Sequence, residues 1–155
     1  MPIKTPLARL SYAKLHTPEQ NANGKDKYSA MLIFEPGTDL SELENGAMEA
    51  AIDLYGSKEK LPNGVKKKSL AKGSGWPFRD GEDQDGKDGH QEGGLYINVS
   101  TYGSAPKVVR KENGIMVKVE EDEIKSGDYV KAMLTPKGFK VDGNSGVTFY
   151  LGNVR

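Results

Sequence analysis

Tyr96, Asn98, Ser100 and Tyr102 alternate with Leu95, Ile97, Val99 and Thr101 through the run LYINVSTY. Alternation at every second residue is the period of a strand, so one face collects two rings and two hydrogen-bonding side chains while the other is apolar. Rings beside hydrogen-bonding groups on a wet face suit stacking against unpaired bases, because every base offers a π-face. Tyrosines are also ordinary strand formers, which is the plainer explanation of the same pattern. The run YVKAMLT at 129–135 divides likewise, with Val130, Ala132 and Leu134 on one side and Tyr129, Lys131, Met133 and Thr135 on the other, so that Lys131 is placed to reach a phosphate. Arg79 directly follows Trp76-Pro77-Phe78 at the end of a basic stretch, the pairing of ring and cation that single-strand grooves use. For Trp76, the chain's one tryptophan, the alternative is a plug at the end of a barrel, with at least half of it buried. Lys66, Lys67 and, at the head of KVVR, Lys107 are further phosphate contacts to expect, although short lysine runs are equally at home on solvated loops.

Other chemistries fit poorly. There is no cysteine, and His16 and His90 are the only imidazoles, so thiolate sites are excluded and a metal would need oxygen ligands. The segment DGEDQDGKDGH at 80–90 has the look of a calcium loop, yet Lys87 occupies a ligand position, Asp88 stands where the loop glycine belongs, and no flanking helices are expected. A magnesium-dependent nuclease would need such acids fixed on strands rather than on a glycine-rich loop. Neither GxxxxGK[ST] nor a GxGxxG after a strand is present, which removes the nucleotide-dependent activities that use them. The expectation is a binding protein without cofactor, metal or catalytic residues.

The formal net charge is zero, 22 basic residues against 22 acidic, but the two signs are segregated. Residues 56–79 carry Lys58, Lys60, Lys66, Lys67, Lys68, Lys72 and Arg79 against Glu59 alone. Residues 80–92 carry six acids against Lys87, and residues 35–55 carry six acids and no base. Charge separated in this way builds a local positive field on a neutral protein, and the local field steers a polyanion.

These residues need elements to hold them. At 155 residues the chain fits one domain, 1–155, and 35% hydrophobic with 28% charged residues describes a globular protein with a wet surface. LARLSYAKL at 7–15 and DKYSAMLIF at 26–34 read as a hairpin around Asn21-Ala22-Asn23-Gly24. Leu40, Leu43, Ala47, Ala50, Ala51 and Leu54 fall at helical spacing, with Asp39 as N-cap and Glu42 closing a capping box, so one helix is expected over 39–55. A long loop at about 56–94 follows, and loops of that length are usually functional or mobile. Strands at 95–102, 107–110, 115–119, 129–135 and 147–154 complete the chain, with turns assigned to Gly103, Pro106, Asn113-Gly114, Ser126-Gly127, Pro136, Gly138 and Asp142-Gly143-Asn144. Roughly seven short strands and one helix point to a closed barrel or a sandwich. No apolar run approaches the roughly 18–20 residues that span a bilayer, and residues 1–10 lack the apolar stretch of a signal peptide, so a cytosolic protein is expected.

Three segments in this order, ARLSYAKL…GKDKYSAMLIF, PFRDGEDQDG…GGLYINVSTYGSAPKVV and EIKSGDYVKAMLTPKGFKVDGNSGVTFYLGNVR, resemble bacteriophage single-stranded DNA-binding proteins. The resemblance covers most of the chain and rests on the succession PxRDG, YINxS, SGxYVxA; residues 39–72 match in character only. It implies a mainly β protein, a single OB-type β-barrel with one α-helix and long loops, that binds single-stranded DNA without sequence preference during phage DNA replication and recombination in the host cytoplasm. It also implies that the strand with Tyr96 and Asn98, the Arg79-Asp80-Gly81 turn, Lys131 and Phe139 lie on the DNA side; a ring packed on the barrel at a hairpin tip is the alternative for Phe139. Relatives commonly continue into an acidic C-terminal tail that recruits phage replication proteins, whereas this sequence stops at Arg155, and a monomer or homodimer is expected. A phage assembly protein is the competing reading, and a metal-dependent nuclease a more distant one.

Overall fold

A computed structural model describes residues 2–20, 24–70, 74–80, 94–120, 123–125, 127–141 and 144–155. The acidic run from 81 onward, with its resemblance to a calcium loop, lies outside the described residues, as do Gly81 and His90.

Period-two alternation becomes strand wherever it is sustained. In chain order the elements are β1 (Ile3–Lys4), β2 (Ala8–Gln20), β3 (Asp26–Phe34), α1 (Ser41–Tyr55), a 3-10 turn (Lys58–Lys60), α2 (Asn63–Lys66), β4 (Phe78–Asp80), β5 (Leu95–Tyr102), β6 (Val109–Glu112), β7 (Ile115–Lys118), β8 (Tyr129–Val130), β9 (Ala132–Val141) and β10 (Asn144–Val154). The main sheet runs β1-β9-β10-β5-β3-β2-β8, and β4 pairs with β5 on the edge that β10 covers further along. All of its ladders are antiparallel except β5 with β10, which is parallel.

The sheet is bent around a core but its ladder path stays open, where a closed ladder was one expectation. One residue, Lys131, separates β8 from β9, and it exchanges two backbone hydrogen bonds with Arg155, so the same stretch of chain serves β2 at one end and β10 at the other. Inside lie Leu10, Leu32, Phe34, Ile97, Val99, Leu134 and Phe149, all nearly inaccessible, with Leu43, Ala47 and Ala51 of α1 packed against them. Burying such side chains is worth about 1.5–3 kcal/mol each, which is the main force holding the bend.

Three local expectations are corrected. The helix begins at Ser41, two residues after Asp39, because Leu40 is pulled into the core and takes the N-cap position. The Asp39 carboxylate accepts instead from the Ser41 hydroxyl (2.7 Å) and N–H (3.0 Å), and these two bonds hold its pKa below the usual value. Pro136 and Gly138 sit inside β9 rather than in turns. Pro136 is tolerated because β1 covers that edge of β9 only at Met133 and Leu134. Gly138 is there because α1 crosses so closely that a Cβ would lie 2.9 Å from Leu54. Finally, the basic stretch is not loop throughout, since Leu61 and Val65 are buried and anchor a second, short helix, α2.

Gly138 faces α1, so its strand neighbours Lys137 and Phe139 point the other way. Lys137 thus stands on the side of β9 away from α1, whereas Lys140 lies on the α1 side, its Nζ 4.4 Å from the centroid of the Tyr55 ring.

Candidate nucleic-acid interface

The outer face of the sheet is fixed by register, because residues paired across strands share a side. Lys27 pairs with Tyr102, Ser29 with Ser100, and Met31 with Asn98 across β3 and β5. Ser100 is then aligned with Tyr150, and Tyr150 with Thr135. Next along β9 and β10 come the pairs Lys137 with Thr148 and Phe139 with Gly146. These outward positions of β3, β5, β9 and β10 carry no carboxylate. Tyr102 is 43% exposed and Tyr150 39% exposed, and the Lys137 Nζ lies 5.7 Å from the centroid of the Tyr150 ring, within cation–π reach.

A groove opens in this face for a topological reason. One edge of β5 is covered by β4 at Leu95, Tyr96 and Ile97 and by β10 at Val99 and Ser100, so the two covering strands part at Asn98. The space between them, about 540 Å³, is lined by Arg79, Asn98, Phe139, Ser145 and Thr148, with Pro62 and Pro77 at its sides. Among the described residues Arg79 is the one charged residue in that lining. Its Nη1 donates to the carbonyl of Trp76 and to that of Phe78 (3.0 Å), which holds the guanidinium plane in place while leaving other N–H groups of the fork for a ligand.

The rim is built by backbones in direct contact. The carbonyl of Gly75, a residue at φ +88°, accepts from the Val147 N–H (2.8 Å), and a Cβ on Gly146 would fall 2.3 Å from that same oxygen. A Cβ on Gly64 would fall 1.9 Å from the Ser74 carbonyl, so α2 is pressed against the groove segment. Pro62, on the groove wall, accepts from the N–H of Lys66, which places Lys66 and its neighbour Lys67, both exposed, one turn from the groove.

Of the residues singled out in the sequence, Arg79, Asn98 and Phe139 meet in the groove, with Trp76 contributing to its wall. Tyr102 lies on the same face toward its other end, beside Lys27. Three rings among the candidate DNA-binding residues are closed off. Trp76 (1% exposed) and Phe78 (0%) are core residues, their ring centroids 5.7 Å apart, and Phe78 packs edge-on against Phe149 at 5.8 Å. The burial expected for Trp76 is therefore met in full. Tyr96 does point outward, between Ile33 and Arg79, but Met31 and Ile33 pack with it and reduce it to 2% exposure, so its ring offers no open face. Lys131 lines a different depression, with Lys4, Asp39 and Glu42, and Lys107 is exposed beyond the end of β5.

Sequence reasoning missed Tyr150, Lys137, Thr148 and Lys27. The signal existed: Val147, Phe149 and Leu151 are core residues of β10, so Thr148 and Tyr150 must face out. Reading Pro136 and Gly138 as turns hid the same alternation in β9. Among the described residues no cluster of three or more histidine or carboxylate side chains is placed to hold a metal ion. Among the described residues no helix is long and apolar enough to cross a membrane.

Over residues 1–155 the chain matches the family model described as Enterobacter phage Enc34, ssDNA-binding protein. Its structure is similar to that of the single-stranded DNA-binding protein from bacteriophage Enc34 in complex with ssDNA, with TM-score 0.76 and 20% identity over 99% of this chain and 84% of that one. A C-terminal truncation of the Enc34 protein gives TM-score 0.72 at 21% identity, covering 99% and 83% of the two chains. Gp2.5, a single-stranded DNA-binding protein encoded by bacteriophage T7, gives TM-score 0.66 at 16% identity, covering 99% and 84%. No curated protein matches.

Proposed function

We propose that this chain, which belongs to the Enterobacter phage Enc34 family of single-stranded DNA-binding proteins, holds unpaired DNA across the outer face of its sheet and shields it during phage DNA replication. The observation that carries the reading is a face on which the rings of Tyr102, Tyr150 and Phe139 are interleaved with Lys27, Lys137 and Arg79 and on which the outward positions of β3, β5, β9 and β10 carry no carboxylate, Glu19 of β2 beside Lys27 standing at its margin. Counting β2 as the first barrel strand, β3 and β5 are the second and third, and the second–third strand face is the one OB folds present to oligonucleotides.

Bases stack on the rings and the cations take the phosphates. Stacking tolerates any base, and phosphate contacts carry no sequence information, so binding is strong without being selective. Asn98, Ser145 and Thr148 supply hydrogen bonds along the groove wall that adjust to whichever base edge is present. Arg79 is the orienting cation, because its fork is pinned by the Trp76 and Phe78 carbonyls before DNA arrives.

The division of labour is separable by salt. Arg79→Gln and Lys137→Gln should each reduce the slope of log K against log salt by about 0.7, the value of one phosphate contact to a single strand. Tyr150→Ala should lower affinity at every salt concentration and leave the slope unchanged. Slopes equal to wild type in both charge variants would remove these cations from the interface.

A further inference from the structure

Between β5 and β8 the chain detours into a separate two-stranded ribbon, β6–β7, closed by Asn113 (φ 49°) and Gly114 (φ 80°), the left-handed pair of a tight hairpin turn. Its root is fixed. Val108 and Val119 are buried, the Val119 N–H donates to the Val108 carbonyl (2.8 Å), the Val154 N–H donates to the Lys107 carbonyl (2.8 Å), and His16 Nε2 bonds the Val119 carbonyl (2.8 Å). Its tip is exposed, with Ile115 at 67% and Met116 at 48%. A ribbon tied to the core at one end and bare at the other does little for the stability of the barrel.

Register shows that its two faces differ. Arg110 pairs with Val117 and Glu112 with Ile115, and on that face the Arg110 guanidinium is bonded to Glu112 (2.8 Å) and to Glu123 (2.7 Å). The two bonds to carboxylates raise its pKa, and with two acids on one base this cluster is net negative. The opposite face pairs Lys111 with Met116 and Val109 with Lys118. It has no acid of its own; Lys118 comes only within 3.9 Å of Glu120, and Lys111 has no ion-pair partner among the described residues.

We propose that this Lys111–Met116–Lys118 face is a second surface for single-stranded DNA, gripping the strand after it leaves the sheet. The position supports this: Tyr102, the last ring of the sheet face, is five residues before Lys107 at the ribbon root, a reach of at most about 18 Å. A strand passing Tyr102 therefore meets Lys107 and then two lysines that flank a flexible, polarisable methionine, a side chain able to lie against a sugar or base of any kind. The inference rests on the sheet-face reading above and lengthens the site rather than replacing it.

Two oligo-dT lengths separate the surfaces, about 8 nucleotides to fill the sheet face and about 30 to reach the ribbon as well. The Lys111→Gln/Lys118→Gln double variant should bind the short oligonucleotide as wild type does, and should lose about 1.4 from the salt slope for the long one, two contacts at about 0.7 each. Arg79→Gln should lower both slopes. An unchanged long-oligonucleotide slope in the double variant overturns the ribbon proposal, as does equal loss at both lengths, which would make the lysines part of the fold or of the main face. Loss of self-association with the slope intact also overturns it, by placing a second copy of the chain on the ribbon. Absence of binding by wild type at either length would instead overturn the sheet-face reading.

Discussion

Phe139→Ala is expected to weaken binding to oligo-dT roughly 5- to 150-fold, the loss of one stacked base at about 1–3 kcal/mol. The ring is partly exposed on the groove wall, and the Tyr55 hydroxyl bonds the Phe139 carbonyl rather than its side chain, so the substitution leaves the local fold its anchor. Melting of the variant should therefore stay near wild type while the dissociation constant rises. Phe139→Leu distinguishes stacking from filling, since leucine occupies space but has no π-face. An affinity that falls for alanine and recovers for leucine would assign Phe139 to packing.

The largest effect on the folded state is expected from Phe78→Ala, about 3–5 kcal/mol, the usual cost of deleting a buried phenylalanine. Phe78 is wholly inaccessible, lies between Trp76 and Phe149, and is paired with Ile97 in the ladder that holds β4 on β5. Total stability of a domain is about 5–15 kcal/mol, so this one change removes a large share of it. Urea unfolding should show a midpoint well below wild type. Binding should fall as well, because the next residue is Arg79 and its guanidinium takes its orientation from the carbonyls of Trp76 and Phe78. A variant as stable as wild type would mean that β4 is not part of the cooperative core.

Most of the fold was legible because long alternating runs leave little choice of element. Residues 26–34 and 95–102 become strands with the expected limits. Of the inward set Leu95, Ile97, Val99 and Thr101, Ile97 and Val99 are buried and the two end residues half-buried, and the inward set Val130, Ala132 and Leu134 is buried. Legibility failed where tertiary packing overrode a local signal. Pro136 and Gly138 are strong turn formers, yet one lies where an edge is uncovered and the other where a helix needs the room of a missing Cβ. Leu40 displaced Asp39 from the cap because burying its side chain outweighs a solvent-exposed capping bond.

The site was harder to read for a related reason. Alternation gives the side of the sheet on which a residue stands but not what covers it, and that second fact decided Tyr96. It faces outward as expected and is nonetheless sealed by Met31 and Ile33 from the neighbouring strand. Tyr150, which no local motif marks, is open and has Lys137 beside it. Charge segregation along the chain survives into space only in part, since Lys137 stands on the side of β9 away from α1 while Lys140 lies over the Tyr55 ring of α1.

Preference of the sheet face for unpaired DNA is tested most directly by a competition titration, in which labelled oligo-dT is displaced by unlabelled oligo-dT or by duplex of equal length at low and at near-physiological salt. Open rings flanked by cations should favour the unpaired strand at both salt concentrations, because stacking needs a free base face and survives screening. Equal displacement by duplex, vanishing together with oligo-dT binding as salt rises, would show a charge-only surface and contradict a stacking role for Phe139, Tyr102 and Tyr150.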